Sequence, residues 1–154
     1  YVVLCFVPSA DGLPHLAKGM IGFFAVVAGE NKTAAPIADA GVELLDFSFK
    51  LPEAVKAGKQ TWSVTNKGQQ LHEINLMKLT DGKTIEDVMA WTKDPTTAPP
   101  FMNVGGFQGI NPGATGWMEL DLAAGEYIAI CHIPDPATGK AHEQLGMVLP
   151  FTVQ

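Results

Sequence analysis

Polar and apolar residues alternate along much of this chain, the pattern of β-strands that bury one face. Residues 42–51, VELLDFSFKL, alternate in their later part and predict one long strand. Residues 60–65 and 71–79 predict two more, separated by the turn-forming Asn66-Lys67-Gly68. Strands resume at 115–122 and 126–131, and a last one covers 147–153. One helix interrupts the series. Thr84, with Asp87 three residues on, can satisfy free amides at a helix start, and the predicted helix runs to about Lys93. Three prolines in 94–100 must end it, and Gly105-Gly106 through Asn111-Pro112-Gly113 reads as turn-rich loop. Short strands with turns between them predict an all-β sandwich with one short helix.

The two ends of the chain repeat each other. Tyr1-Val2-Val3-Leu4-Cys5, then Pro8, Gly12, His15, Gly19, Met20, Phe24 and Val26, recur as Tyr127-Ile128-Ala129-Ile130-Cys131, then Pro134, Gly139, His142, Gly146, Met147, Phe151 and Val153. Nine residues separate Cys from His in the first copy and ten in the second, while four separate His from Met in both. Residues 1–29 are therefore expected to be the last two strands and connecting loop of a preceding repeat. Residues 30–40, with Asn, Lys, Thr, Pro and several Ala, read as a linker, and 41–154 as a complete domain. Two apolar strands without a sheet of their own expose edges and faces. They are expected to pack on the following domain or on another molecule, which makes a homo-oligomer through residues 1–29 the expected assembly.

Composition narrows the class. With 154 residues, 47% hydrophobic and 17% charged, the chain holds one full globular domain rather than two. The net charge of −6 comes with ten Lys and no Arg, so bidentate phosphate recognition is missing and nucleic acid is not an expected partner. The longest apolar runs, 1–7 and 21–28, fall well short of the roughly 20 residues that cross a bilayer. They read as buried strands, not as a signal segment or a membrane span.

Each copy of the repeat carries a thiolate, an imidazole and a thioether. Soft sulfur donors favour Cu(I), imidazole suits both copper oxidation states, and two His with one Cys and a weak axial Met make a blue-copper electron-transfer site. The second copy needs one further His, and His72 stands upstream, after a turn and in a strand-like run. A Cys5–Cys131 disulfide would spoil both sets, so none is expected. His132, next to Cys131 on a strand, points to the opposite face and is not an expected ligand. Met77, Met89, Met102 and Met118 lack the repeat spacing and read as core or surface filler. Cys5, His15 and Met20 form a partial set, which lacks a partner corresponding to His72 within its own repeat.

Taken together, His72, the run Gly125-Glu-Tyr127-Ile-Ala-Ile-Cys131 and the run His142-Glu-Gln-Leu-Gly146-Met147 resemble the cupredoxins, the plastocyanin-like type 1 blue copper proteins, over residues 37–154. The resemblance implies a Greek-key β-sandwich that binds one copper near one end through His72, Cys131, His142 and Met147. Two features depart from the small members of that family. The loop from Cys131 to His142 is longer, closer to that of copper nitrite reductases, and Glu73 follows His72 where Asn or Asp is common.

A copper with four protein ligands has no open position for substrate, which favours an electron carrier over an enzyme. The three-copper cluster of multicopper oxidases needs paired His-x-His motifs, and none of the four histidines is so arranged. The second copper of nitrite reductases uses a His just before the Cys ligand, where this chain has Ile130. The expected partner is a redox protein such as a cytochrome or oxidase, steered by the acidic surface if it is basic. The expected location is periplasmic or extracellular. The expected electron port is an exposed edge of His142, with Leu145, Gly146 and Pro134 around it. Two other readings stand beside this one: a protein that stores or delivers Cu(I), and a copper-free structural or assembly module with the same fold.

Overall fold

The computed structural model describes residues 1–5, 7, 9–27, 29 and 33–154. Pro8 of the first repeat and residues 30–32 at the start of the expected linker lie outside the described residues. The chain divides into two compact units, Tyr1–Ala35 and Pro36–Gln154.

In the first unit, β1 (Val2–Leu4) and β2 (Ile21–Phe23) pair antiparallel, joined by a loop with a 3₁₀ turn at His15–Lys18. No residue of either strand is buried, which corrects the reading of the apolar runs 1–7 and 21–28 as buried strands: the two-stranded hairpin has no second sheet in its own unit to cover it.

The second unit contains β3 (Ala40–Leu45), β4 (Ser48–Lys50), β5 (Gly58–Asn66) and β6 (His72–Leu79). Helix α1 (Ile85–Trp91), β7 (Phe101–Ile110), β8 (Thr115–Leu122), β9 (Gly125–Ile130) and β10 (Val148–Val153) follow. Two four-stranded sheets result, ordered β4-β3-β5-β8 and β10-β9-β6-β7. The chain passes between sheets at β5–β6, β7–β8 and β8–β9, and β3 pairs parallel with β5. This is the β-sandwich with one short helix that the pattern predicts, in the Greek-key, cupredoxin-like form that the resemblance implies. Alternation explains the packing. Val42 and Leu44 on β3, Trp62 and Val64 on β5, and Met118, Leu120 and Leu122 on β8 point inward. They meet Ile74 and Leu76 of β6 and Tyr127 and Ala129 of β9.

The central strands β6 and β9 are covered on both faces. Their outer residues, Met77, Ile128 and Ile130, pack with Val88 of α1, Phe101 and Val148. The helix is held at its start by Thr84, whose hydroxyl accepts from Asp87 N while the Asp87 carboxylate accepts from Thr84 N. It stops at Trp91, two residues before the predicted end.

In the second unit two sequence expectations fail, each for a physical reason. Residues 42–51 are not one strand: Asp46 and Phe47 make a two-residue hairpin loop between β3 and β4. Such loops need positive φ and favour Asn-Gly or Asp-Gly, yet Phe47 adopts φ 62°. Residues 105–110 are strand rather than loop, because Gly105 and Gly106 lie inside β7 at φ 148° and 155°, beside a register shift between Leu76 and Met77. Glycine here permits close backbone approach at a bulged strand, not a turn.

A Cβ at position 106 would collide with the Ile74 carbonyl. Gly106→Ala is therefore expected to destabilise the domain by about 2 kcal/mol or more. Chemical denaturation midpoints of the two proteins check this.

Candidate metal centre

Strand alternation brings the candidate donors together. On β9, Ile128 and Ile130 face α1, so Tyr127, Ala129 and the following Cys131 face the sandwich interior. Antiparallel pairing of β6 with β9, Asn75 opposite Ile130, carries the start of β6 past Cys131. His72 opens that strand, and Glu73 N–H points at the Cys131 sulfur, 3.5 Å away. The loop then folds back. His142 N donates to Ile133 O at 2.8 Å and Glu143 N to Cys131 O at 2.9 Å. The 3₁₀ turn His142–Leu145 ends at Gly146, whose φ of 108° favours glycine. Met147 follows, its N donating to His142 O and its O accepting from Cys131 N.

The ligand atoms of His72, Cys131 and His142 all lie within 4.8 Å of one another. Cys131 Sγ is 3.4 Å from His142 Nδ1, and the Nδ1 atoms of His72 and His142 are 3.1 Å apart. All three residues and Met147 have 0% exposure. Both cysteines of the chain are free.

The outer nitrogens of the two imidazoles decide what the inner ones offer. His72 Nε2 lies 2.8 Å from the Asp46 carboxylate, which only accepts, so this nitrogen carries hydrogen. Gln70 donates its amide nitrogen to Asp135 Oδ1 at 3.0 Å, which turns Gln70 Oε1 toward His142 Nε2 at 3.1 Å. His142 Nε2 must donate as well. Two Nδ1 lone pairs are thereby aimed at one another, and a cation, either a proton or a metal ion, is what reconciles them. A buried thiol completes the soft donor set. The residues present fit a thiophilic, imidazole-binding metal.

The surroundings reinforce this. Burial acts to raise the Asp46 pKa, but hydrogen bonds from His72 and from the backbone N–H of Gln69 and Gln70 outweigh it and hold the carboxyl below its usual range. Burial, followed by the facing His72, lowers the pKa of His142. Burial also pushes the Cys131 thiol from an ordinary 9.0 up to about 11, against the opposing backbone hydrogen bonds from Glu73 and Ile133. Phe47 meets the His142 ring edge-on, with centroids 5.2 Å apart, which gives the unusual backbone at Phe47 a packing role. His132 does turn away: it is exposed, and its Nδ1 lies 3.4 Å from Glu143 Oε1. Its pKa is raised, chiefly by that Glu143 contact.

Sequence reading missed Asp46, Phe47, Gln70 and Asp135. Nothing local marks them, since they act through a ring or an amide brought alongside by folding. The expected exposed edge of His142 is also corrected. His142 is fully buried, its Nε2 covered by Gln70, while Gly146 and Pro134 are exposed and Leu145 is half-buried. In the first unit, Cys5 Sγ lies 3.5 Å from His15 Nδ1; both residues are half-buried, and Met20 is 58% exposed.

Comparison with known proteins places the fold. Dithionite-reduced auracyanin from the photosynthetic bacterium Roseiflexus castenholzii superposes with TM-score 0.50 at 18% identity, over 74% of this chain and 94% of that one. Auracyanin A, a "blue" copper protein from Chloroflexus aurantiacus, gives TM-score 0.44 at 21% identity, over 74% and 99% of the chains. An azurin from Methylomonas sp. strain J gives 0.45 at 15%, over 74% and 94%. No family model and no curated protein sequence matches the chain. The first of these likenesses supports the cupredoxin fold and no more.

Metal ligands lose affinity about 10- to 100-fold when the partner that orients them is removed. Asp46→Ala is expected to weaken metal binding by that factor, read by chelator competition. Gly68→Ala should act in the same direction, because a Cβ there would run into the Asp46 carboxylate and His72 Nε2.

The Cys131 thiol gives a second expectation. Its folded-state pKa lies above the unfolded one, so the stability it contributes is full below about 9.0 and is lost as pH rises through about 11. That loss amounts to at most about 2–3 kcal/mol at roughly 1.4 kcal/mol per pKa unit. Thermal melts of the metal-free protein from pH ~8 to ~11 should show it, and Cys131→Ser should remove that component.

Proposed function

We propose that this chain is a type 1 (blue) copper protein that transfers electrons, with copper held by His72, Cys131 and His142 and by Met147 as a weak fourth donor. The observation that carries the reading is the pair of imidazoles whose Nδ1 lone pairs are aimed at each other by Asp46 and Gln70, beside a buried thiol. Such a set would hold copper in either the Cu(I) or the Cu(II) state, and the metal would supply one-electron transfer. The protein keeps the donors still. Asp46 and Gln70 lock the two rings, the Glu73 N–H holds the sulfur, and paired backbone bonds tie Met147 to both Cys131 and His142. Fixed, dry donors leave little to rearrange when the charge changes.

Four fully buried ligands leave no open position for a substrate, so we read the protein as a carrier and not as an enzyme. Two surface clefts, one lined by residues such as Asp39, Lys59 and Glu119 and one by Lys78, Asp81 and Met102, include none of the four. The partner we propose is a redox protein such as a cytochrome or oxidase, with a net charge of −6 favouring a basic one. We place the protein in the periplasm or outside the cell, an assignment carried by the resemblance to blue copper carriers. No helix among the described residues is long and apolar enough to cross a membrane. Residues 1–29 are read as the closing strands of a preceding repeat and as a contact between copies. Their hairpin exposes apolar side chains, with Tyr1 at 77% and Phe23 at 74%.

Titration of the metal-free protein with Cu(II) tests the reading. One copper per chain is expected to give an intense visible charge-transfer band, absent in Cys131→Ser and altered in His72→Ala. The absence of that band with Cys131 reduced would sink the proposal. Reversible reduction without metal loss is expected of a carrier, whereas release of the metal on cycling would favour Cu(I) storage or delivery.

A further inference from the structure

The loop that joins β5 to β6 governs both imidazoles of the metal centre. Backbone N–H groups of Gln69 and Gln70 hold the Asp46 carboxylate that meets His72 Nε2, and the Gln70 side chain supplies the carbonyl that meets His142 Nε2. Residues 67–71 belong to no strand or helix, so ladder bonds do not fix them. Lys67 N donates to Leu44 O of β3 at 2.8 Å. Among the described residues, the other backbone hydrogen bonds of this loop run to the Asp46 carboxylate or to a single further side chain, that of Asn66.

Asn66 closes β5 and is fully buried. Its Nδ2 donates to Gln70 O and to Ile110 O, each at 2.7 Å, while its Oδ1 accepts from Gly68 N at 2.8 Å. Ile110 is the residue of β7 that pairs with His72. The main chain of Asn66 is engaged as well, its N donating to Ala114 O at 3.0 Å and its O accepting from Gly113 N at 2.9 Å. Only one orientation satisfies this amide. Turned over, it would set Oδ1 against two carbonyls and Nδ2 against an N–H, and unpaired polar groups in a dry interior are costly. The two Nδ2 bonds therefore clamp the Gln70 backbone to the strand position opposite His72, and the Oδ1 bond folds Gly68 beneath it.

We propose that Asn66 is a positioning residue of the metal centre. Its side chain hydrogen-bonds to none of the four donor residues. It holds residues 67–71 in the one path that lets Asp46 and Gln70 reach the far sides of His72 and His142, and so keeps both Nδ1 lone pairs aimed inward. Its role so defined rests on the metal reading of His72, Cys131 and His142. Because Asn66 acts through the two outer hydrogen bonds, removing it should change nothing once those bonds are gone. A residue that only fills the core would add its effect to theirs.

The test is competition for Cu(II) between a chelator and the full chain, read at the charge-transfer band of the Cys131 thiolate. It compares wild type, Asn66→Ser, Asp46→Ala/Gln70→Ala and the variant carrying all three changes. Asn66→Ser is expected to weaken binding by about tenfold or more in wild type, and by less than about twofold in the Asp46→Ala/Gln70→Ala background. An equal loss in both backgrounds, or no loss in the first, would overturn the proposal. Metal-free wild type gives a second reading that needs no variant of Asn66. Measured by NMR, the Asn66 side-chain amide protons and the His142 Nε2 proton should show equal protection from hydrogen exchange. A His142 proton that exchanges freely while Asn66 stays protected would also overturn it. Failure of the metal reading is seen separately, as a wild type that develops no band, and the exchange measurement still decides whether Asn66 holds the loop on His142.

Discussion

Two imidazoles meeting nitrogen to nitrogen in a dry interior is an arrangement that a protein must hold by force. In this domain the force comes from outside the pair: a carboxylate accepts from the far side of His72 and an oriented amide accepts from the far side of His142. Each ring is left with its Nδ1 lone pair aimed at the other across 3.1 Å, a gap for a proton or a metal ion to bridge. The orientation of Gln70 rests in turn on Asp135, and that of Asp46 on the amides of Gln69 and Gln70. Most other features of this end of the sandwich serve that constraint. Gly68 lacks a side chain where a Cβ would strike both Asp46 and His72, and Phe47 accepts a left-handed backbone while its ring braces His142.

The scaffold beneath the site is β6 paired with β9, both covered on two faces. Covering matters because buried strands cannot slip register without turning every side chain to the wrong face. The helix thus has an indirect role: Val88 packs with Ile128 and Ile130, so Cys131 is committed to the opposite, inward face. The amino-terminal hairpin has the same ligand loop without this covering. Its Cys5 Sγ and His15 Nδ1 keep nearly the spacing of Cys131 and His142, 3.5 against 3.4 Å. The loop sets which donors meet; the sandwich adds His72 and excludes solvent.

Much of this was legible in the linear sequence because it is periodic or repeated. Alternation located β5, β6, β8, β9 and β10 to within two residues, and Thr84 with Asp87 marked the helix start. The recurrence of Cys, His and Met pointed to the loop and its donors. What failed were places where a local signal had a non-local cause. Gly105 and Gly106 look like a turn, but they are glycine because the Ile74 backbone passes too close for a Cβ. Asp46 and Phe47 look like strand, since Asp46 is followed by an aromatic residue where a hairpin turn favours glycine. His142 looked like an exposed edge because nothing near it in sequence covers it; Gln70 does, from 72 residues away.

The sequence by itself determined the class of fold and the kinds of donor atoms, because binary pattern and ligand chemistry are properties of residue type and spacing. Tertiary structure alone decided which nitrogen of each histidine faces inward and how deeply the thiol is buried. Those depend on hydrogen-bond partners and neighbours supplied by other strands. A ring's tautomer and a thiol's proton are set by what lies on the far side of them, and no spacing along the chain records that.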